Sequence, residues 1–238
     1  MSNLSRYRFS LLRESHVSLY RGVSSEGDTV LIAAPNPGHS STASLAQLKR
    51  EYALRDGLDP AWAATPVALQ RYGESIALLL TDPGGVPLPS LCPFPMAMPQ
   101  FLSVAVSLAA TLKEVHTRGL LHNDISTDNF LVDLETSKAW LTSFGFAAWL
   151  NGGKTRAQAV ESAPGKFSYM APEYSRHARR PIDARADLYS LGCVFYEMLT
   201  GTLPLIASDP MAWTHSHGAR LPAPPTEHVA GLPPQVSS

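Results

Sequence analysis

The chain is poor in cysteine, in net charge and in long apolar runs. Cys92 and Cys193 are its only cysteines in 238 residues. They lie far apart and outside metal-ligand spacing, which argues against a disulfide framework or a zinc site and fits a reducing compartment. A formal net charge of −1 gives no general field for nucleic acid or an anionic surface, even with the local patch at Arg176–Arg180, so nucleic acid is not expected as a partner. No stretch approaches the ~20 apolar residues that span a bilayer, and the first fifteen residues lack the apolar core of a leader. A soluble, cytoplasmic protein is the expectation. Two absences are local: no lysine occurs before Lys49, and Leu12 to Gly22 contains only Gly22 as glycine.

What is present is a globular pattern, with an apolar fraction of 45%. β-like runs at 7–12, 17–23 and 29–34 are separated by polar turns, Ser25-Glu26-Gly27-Asp28 among them. Residues 40–58 place Leu45, Leu48, Tyr52 and Leu54 at helical spacing, and two more β-like runs follow at 67–72 and 75–80. A small antiparallel sheet with one helix is predicted. Asp82-Pro83-Gly84-Gly85 breaks this pattern and marks a boundary between units 1–84 and 85–238. Beyond it, Leu102, Val106, Leu108, Leu112 and Val115 predict a helix over 99–118. Leu188, Leu191, Val194, Phe195 and Met198 predict another over 186–199, nearly all-apolar and therefore expected at the centre of its unit. The proline-rich stretch 204–234 is expected to run irregularly over the surface.

The segment from Leu121 through His122-Asn123-Asp124 to Asn129 sets a carboxylate five residues before an amide, between apolar flanks. Ser143-Phe144-Gly145, Ala171-Pro172-Glu173 and Asp187 with Leu191-Gly192 follow in order, and Arg50-Glu51-Tyr52 and Leu79-Leu80-Thr81-Asp82 precede. Taken together these motifs resemble the protein kinase family, whose catalytic loop reads H-R-D-x-x-x-x-N. Their texture is similar to the kinase-like domain at the front of large bacterial multidomain signalling proteins, over about residues 7–234. The resemblance implies an α+β, two-lobed fold: a small antiparallel sheet lobe with one helix, and a mainly helical lobe lacking its last helices. It implies ATP and magnesium as cofactors and a protein partner in signalling. It assigns Asp124 the proton of an attacking hydroxyl and Asn129 a magnesium contact. Leu80 and Asp82 at the hinge, Leu131 as apolar floor and Ser143 would line the nucleotide, while His122 and Phe144 would be packed core. Glu173 would lack the arginine that the family's final part supplies.

Several departures bear on that chemistry. A kinase phosphate loop needs glycines so that backbone N–H groups approach the phosphates, and this chain offers only Gly22, beyond the turn. The third strand carries no lysine, so Glu51 is expected to find no cationic partner from the sheet and to be a solvated helix charge. Ser143 stands where the family has the magnesium-binding aspartate, and a neutral hydroxyl cannot offset a divalent charge. Asn123 replaces the family's arginine, so activation through a phosphate on Thr155, Ser162 or Ser168 is not expected. Two readings of Lys166 stand: a cation reaching Asp124 from the opposite side, in exchange for Ser126 at the family's lysine position, or a solvated loop charge.

Three functions follow from these residues. The first is a serine/threonine-kinase-like signalling module that is catalytically impaired, with ATP binding weak or absent. The second is an active atypical kinase using Asp124, Asn129 and Lys166. The third is a non-catalytic interaction remnant of a longer multidomain protein.

Overall fold

The computed structural model describes residues 4–36, 42–72, 75–150, 166–174, 182–207 and 209–236. Strands β1 (Tyr7–Arg13), β2 (Val17–Ser24), β3 (Thr29–Pro35), β4 (Pro66–Tyr72) and β5 (Ser75–Leu80) form one antiparallel sheet in the order β1-β2-β3-β5-β4. The central strands are buried on both faces, which is why their sequences read as continuous apolar runs. On the inner face, Leu31, Ala33, Leu78 and Leu80 pack with Leu48 of helix α1 (Thr42–Ala53). On the outer face Ile32, Ala77 and Leu79 make a smaller cluster.

A short linker leads to β6 (Val86–Pro87) and helix α2 (Leu88–Leu91), and then to the helical lobe. Helix α3 (Met98–Thr117) buries Phe101, Val104, Leu108, Leu112 and Val115 on one stripe against Leu191, Val194 and Met198. Those three belong to α4 (Ala184–Thr200), which starts at Asp183, whose carboxylate accepts the Arg185 backbone N–H as a cap. Strands β7 (Leu120–Leu121), β8 (Phe130–Asp133), β9 (Lys138–Leu141) and β10 (Ala148–Trp149) carry the loops between the lobes. The order β6-β8-β9 ties the linker to the strand that follows Asn129, with Val86 opposite Val132 and Pro87 opposite Leu131. This is the two-lobed α+β architecture that the motifs led us to expect. No helix among the described residues is long and apolar enough to cross a membrane.

Two expectations need correction. The stretch 204–234 is irregular only in part: it contains α5 (Pro210–Ala219) and α6 (Pro225–His228), and Leu232 packs on the main core. Two of its prolines, Pro210 and Pro225, each open a helix, where the missing N–H costs no hydrogen bond. Helix α4 is not covered all round either, since Leu188 remains 53% exposed.

Gly84 and Gly85 both adopt positive φ, 90° and 68°. A side chain at Gly84 meets open space, whereas a Cβ at Gly85 would lie 2.8 Å from the Val132 carbonyl carbon and oxygen, in the backbone that pairs with β6. Gly84→Ala should therefore cost only the left-handed strain, about 1–2 kcal/mol. Gly85→Ala should cost clearly more, because the β6–β8 pair must also shift. Urea unfolding of the two variants checks the order, and equal losses would refute it.

Candidate functional site

The site lies between the sheet and the helical lobe, and its geometry begins with a bulge. The β1–β2 register slips between Leu11 and Arg13, so that Arg13 comes opposite Leu19, whose side chain faces the inner side of the sheet. A bulge of this kind re-aims a side chain, and here it sends Arg13 into the cleft. The hairpin is closed by short bonds: Ser18 Oγ donates to the Ser15 carbonyl (3.0 Å) and Asn36 N–H to the His16 carbonyl (3.0 Å).

Arg13 Nη1 donates to Asn129 Oδ1, and Nη2 donates to Ser143 Oγ at 2.8 Å and to the Val17 carbonyl at 3.3 Å. The side chain thus joins the two positions where the family would place magnesium ligands. The residue keeps some exposure, yet its Nε is wholly enclosed and has no hydrogen-bond partner. Desolvation lowers the arginine's pKa, against the pull of Asp124, Asp128 and Glu51. No ion pair to Arg13 occurs among the described residues.

Residues His122 to Asn129 are held by backbone and side-chain bonds together. Asn129 Nδ2 donates to the Asp124 carbonyl at 2.6 Å, and Asp124 N–H donates to His122 Nδ1 at 3.2 Å. Asp187 on α4 accepts the backbone N–H groups of His122 and Asn123 at 2.8 and 2.9 Å, fixing the loop to the central helix. His122 and Phe144 are fully buried and meet edge to face at 4.7 Å, as their assigned packing role requires. Ser143 sits in the left-handed region (φ 69°, ψ 50°) at the start of the turn Phe144–Phe146.

Glu51 corrects the picture of a solvated charge: it is 2% exposed. Helix α1 presses on the Ser-Phe-Gly turn, with Arg50 Nε donating to the Gly145 carbonyl at 3.0 Å and Gln47 lying where any Cβ on Gly145 would have to go. Burial pushes the Glu51 carboxyl up to about 7, opposed by the Phe144 N–H, by Arg13 and by the Ser143 N–H, and helped by Asp124. The positive charge of Arg13 acts on Glu51 through space, without an ion pair. As expected from the missing lysine, no ion pair joins Glu51 to the sheet among the described residues; what that expectation missed is the burial of the carboxyl.

At the hinge end a second arginine closes the cleft. Arg21, opposite Leu31 on the inner face, makes a two-pronged bond to Asp82, Nε to Oδ2 at 2.7 Å and Nη2 to Oδ1 at 2.8 Å. Nη2 also donates to the Gly84 carbonyl at 3.2 Å. The Asp82 side chain is 2% exposed and that of Arg21 17%. Leu19, Leu31, Leu80 and Leu131, the walls around this point, are all enclosed in one cluster. In the linker, Thr81 N–H already donates to the Thr65 carbonyl and Gly84 N–H to Asp82 Oδ1, while Pro83 has no N–H.

The structure thus brings Asp124, Asn129 and Ser143 to one end of the cleft and Leu80, Asp82 and Leu131 to the other. The Lys166 backbone opens the turn Lys166–Tyr169, but its side chain, like Thr155 and Ser162, lies outside the described residues. Arg13 and Arg21 are the arginines of the first two strands that could have partnered Glu51; each instead bonds elsewhere in the cleft, Arg13 to Asn129 and Ser143 and Arg21 to Asp82.

A protein kinase domain family model matches residues 94–225. The chain is similar to serine/threonine-protein kinase PknB of Mycolicibacterium smegmatis, 29% identical over 144 residues, 60% of this chain and 23% of that one. It is also similar to PknB of Mycobacterium leprae and of Mycobacterium tuberculosis, each 30% identical over 138 residues, 58% of this chain and 22% of theirs. The chain therefore spans about a fifth of the length of these relatives.

The raised Glu51 carboxyl gives stability a pH dependence. Between its ordinary value near 4.5 and about 7 the folded state holds a proton that the unfolded state releases. Stability is then greatest below that window and is lost as pH rises through it. Glu51→Gln should remove up to roughly 3 kcal/mol of this loss. Urea unfolding at pH 5 and pH 8 tests it: the difference between the two pH values should shrink in the variant, and an unchanged difference would refute the assignment.

Proposed function

The chain belongs to the protein kinase domain family, and from that premise we propose that it is a serine/threonine-kinase-like signalling module without phosphotransfer activity, a pseudokinase built from lobes 1–84 and 85–238. The observation that carries this reading is the Arg13 guanidinium bonded to both Asn129 Oδ1 and Ser143 Oγ. A magnesium ion needs near-octahedral oxygen ligands, usually including carboxylate. Here the amide oxygen is engaged by a cation and the second position is a neutral hydroxyl, so these residues do not fit the metal.

The adenine end supports the same conclusion. Adenine binding relies on flat apolar walls and backbone hydrogen bonds. The walls are closed on one another, and the linker's donors at Thr81 and Gly84 are already used. Weak or absent ATP binding, unaffected by magnesium, follows. A module of this kind would act through a protein partner, within a longer multidomain protein.

One observation favours the active atypical kinase: Asp124 and Asn129 are retained, and Arg13 lies close enough to act on Glu51. In that reading Arg13 turns toward incoming phosphate as a substitute for the missing lysine.

Thermal unfolding with millimolar ATP, with and without magnesium, separates the two. Ligand at a hundred times its dissociation constant would raise Tm by roughly 5–10 °C in a chain of this size. No rise is expected. Ser143→Asp alone should not restore phosphotransfer, since Arg13 would still occupy the cleft. Magnesium-dependent phosphorylation by the unaltered chain, abolished by Asp124→Asn, would overturn the pseudokinase assignment.

A further inference from the structure

We propose that Arg13 is a permanent internal cation that clamps the sheet lobe onto the helical lobe, so that the module closes without nucleotide or metal. The inference rests on the reading that Arg13 occupies the metal position, and it adds a mechanical role to that occupancy.

The seat is built for N–H donors. Its bonding oxygens are an amide oxygen (Asn129), a hydroxyl (Ser143) and a backbone carbonyl (Val17), with longer approaches at 3.5 Å to the Asp128 carbonyl and Thr142 Oγ1. Neutral, directional acceptors of this kind match the planar fork of a guanidinium and leave a divalent ion poorly compensated. Carboxylates act on the group without forming an ion pair: Asp124 and Asp128 from the catalytic loop and Glu51 from α1. The charge is held in their field while the hydrogen bonds go to neutral atoms.

The bonds also cross between lobes. Arg13 belongs to β1, while Asn129 and Ser143 flank β8 and β9 in the helical lobe. The hairpin that delivers it is fixed by the Ser18–Ser15 and Asn36–His16 bonds. Helix α1 meets the same turn from the other side through Arg50 and Gln47. Arg21 and Asp82 close the hinge end with a second guanidinium. Of the two cations, Arg13 bonds across to the helical lobe, while Arg21 braces the linker from within the sheet lobe.

The test is chemical rescue in the full chain. Arg13→Gly should lower Tm by about 5–10 °C, the loss expected for charge-assisted hydrogen bonds in a chain of this size. It should also speed backbone hydrogen exchange in the β1–β2 hairpin and between Asn129 and Ser143. Millimolar guanidinium chloride should restore protection at both places, while sodium chloride or magnesium chloride at the same ionic strength should not. Rescue by magnesium as complete as that by guanidinium, or no rescue by either, would overturn the clamp. If Arg13→Gly does not fold, Arg13→Lys decides: its single point charge cannot span both Asn129 and Ser143, so faster exchange at both sites supports the clamp and wild-type protection overturns it. ATP binding by the unaltered chain would sink the pseudokinase reading, whereas failed rescue sinks only this inference.

Discussion

A guanidinium withdrawn from water, with neutral oxygens as its bonding partners, constrains everything around it. Such a group is stable only if nearly every N–H finds an acceptor with good geometry. Arg13 meets that demand through Asn129, Ser143 and Val17, with longer approaches to the Asp128 carbonyl and Thr142 Oγ1, and its Nε has no partner. Each acceptor must then be fixed in turn. Asn129 can present its oxygen because its amide nitrogen is tied to the Asp124 carbonyl. Ser143 can present its hydroxyl because the chain there takes a left-handed conformation, which a non-glycine residue adopts only at some cost. Helix α1 offsets that cost by packing on the turn that follows, and it can come close because residue 145 is glycine.

Seen this way, the departures from the kinase pattern form one coupled set. A glycine-rich first hairpin would be mobile and would not hold a side chain in one place. An aspartate at position 143 would make the arginine part of a buried ion pair, whose desolvation penalty can exceed its attraction. A lysine on β3 would bring a second positive charge into the same enclosed space. Loss of the glycines, of the lysine and of the aspartate are individually damaging to phosphate chemistry, and together they make room for one guanidinium.

The fold was legible where burial enforces a period. The stripe on α3 and the double-sided burial of β3 and β5 leave direct traces in the order of apolar residues, and the Asp124–Asn129 spacing survives because both groups are built into the loop's own hydrogen bonds. Arg13 was not legible, because its direction depends on a one-residue slip in the β1–β2 register that no alternation pattern records. Glu51 misled for a related reason: without a lysine on β3 it looked solvated, yet its burial is imposed from outside the sheet, by the Ser-Phe-Gly turn against α1. The stretch 204–234 misled because proline content was read without regard to position, and Pro210 and Pro225 each open a helix.

The loop from His122 to Asn129 is fixed on its other side as well, by Asn123 and Thr127. Asn123 donates from Nδ2 to the Phe146 carbonyl at 2.9 Å and accepts from the Tyr174 hydroxyl, so one amide joins the loop, the Ser-Phe-Gly turn and the segment after Ala171-Pro172-Glu173. Tyr169 donates to Glu197 at 2.5 Å and shares a hydroxyl bond with Thr127 at 3.0 Å, pinning that segment again. Burial drives both phenols well above their ordinary pKa, so they remain neutral donors across any physiological pH. An arginine at position 123 would instead need a mobile anion to complete it. With the amide, the loop is tied to the Ser-Phe-Gly turn and to Tyr174 by neutral bonds that form without a bound anion.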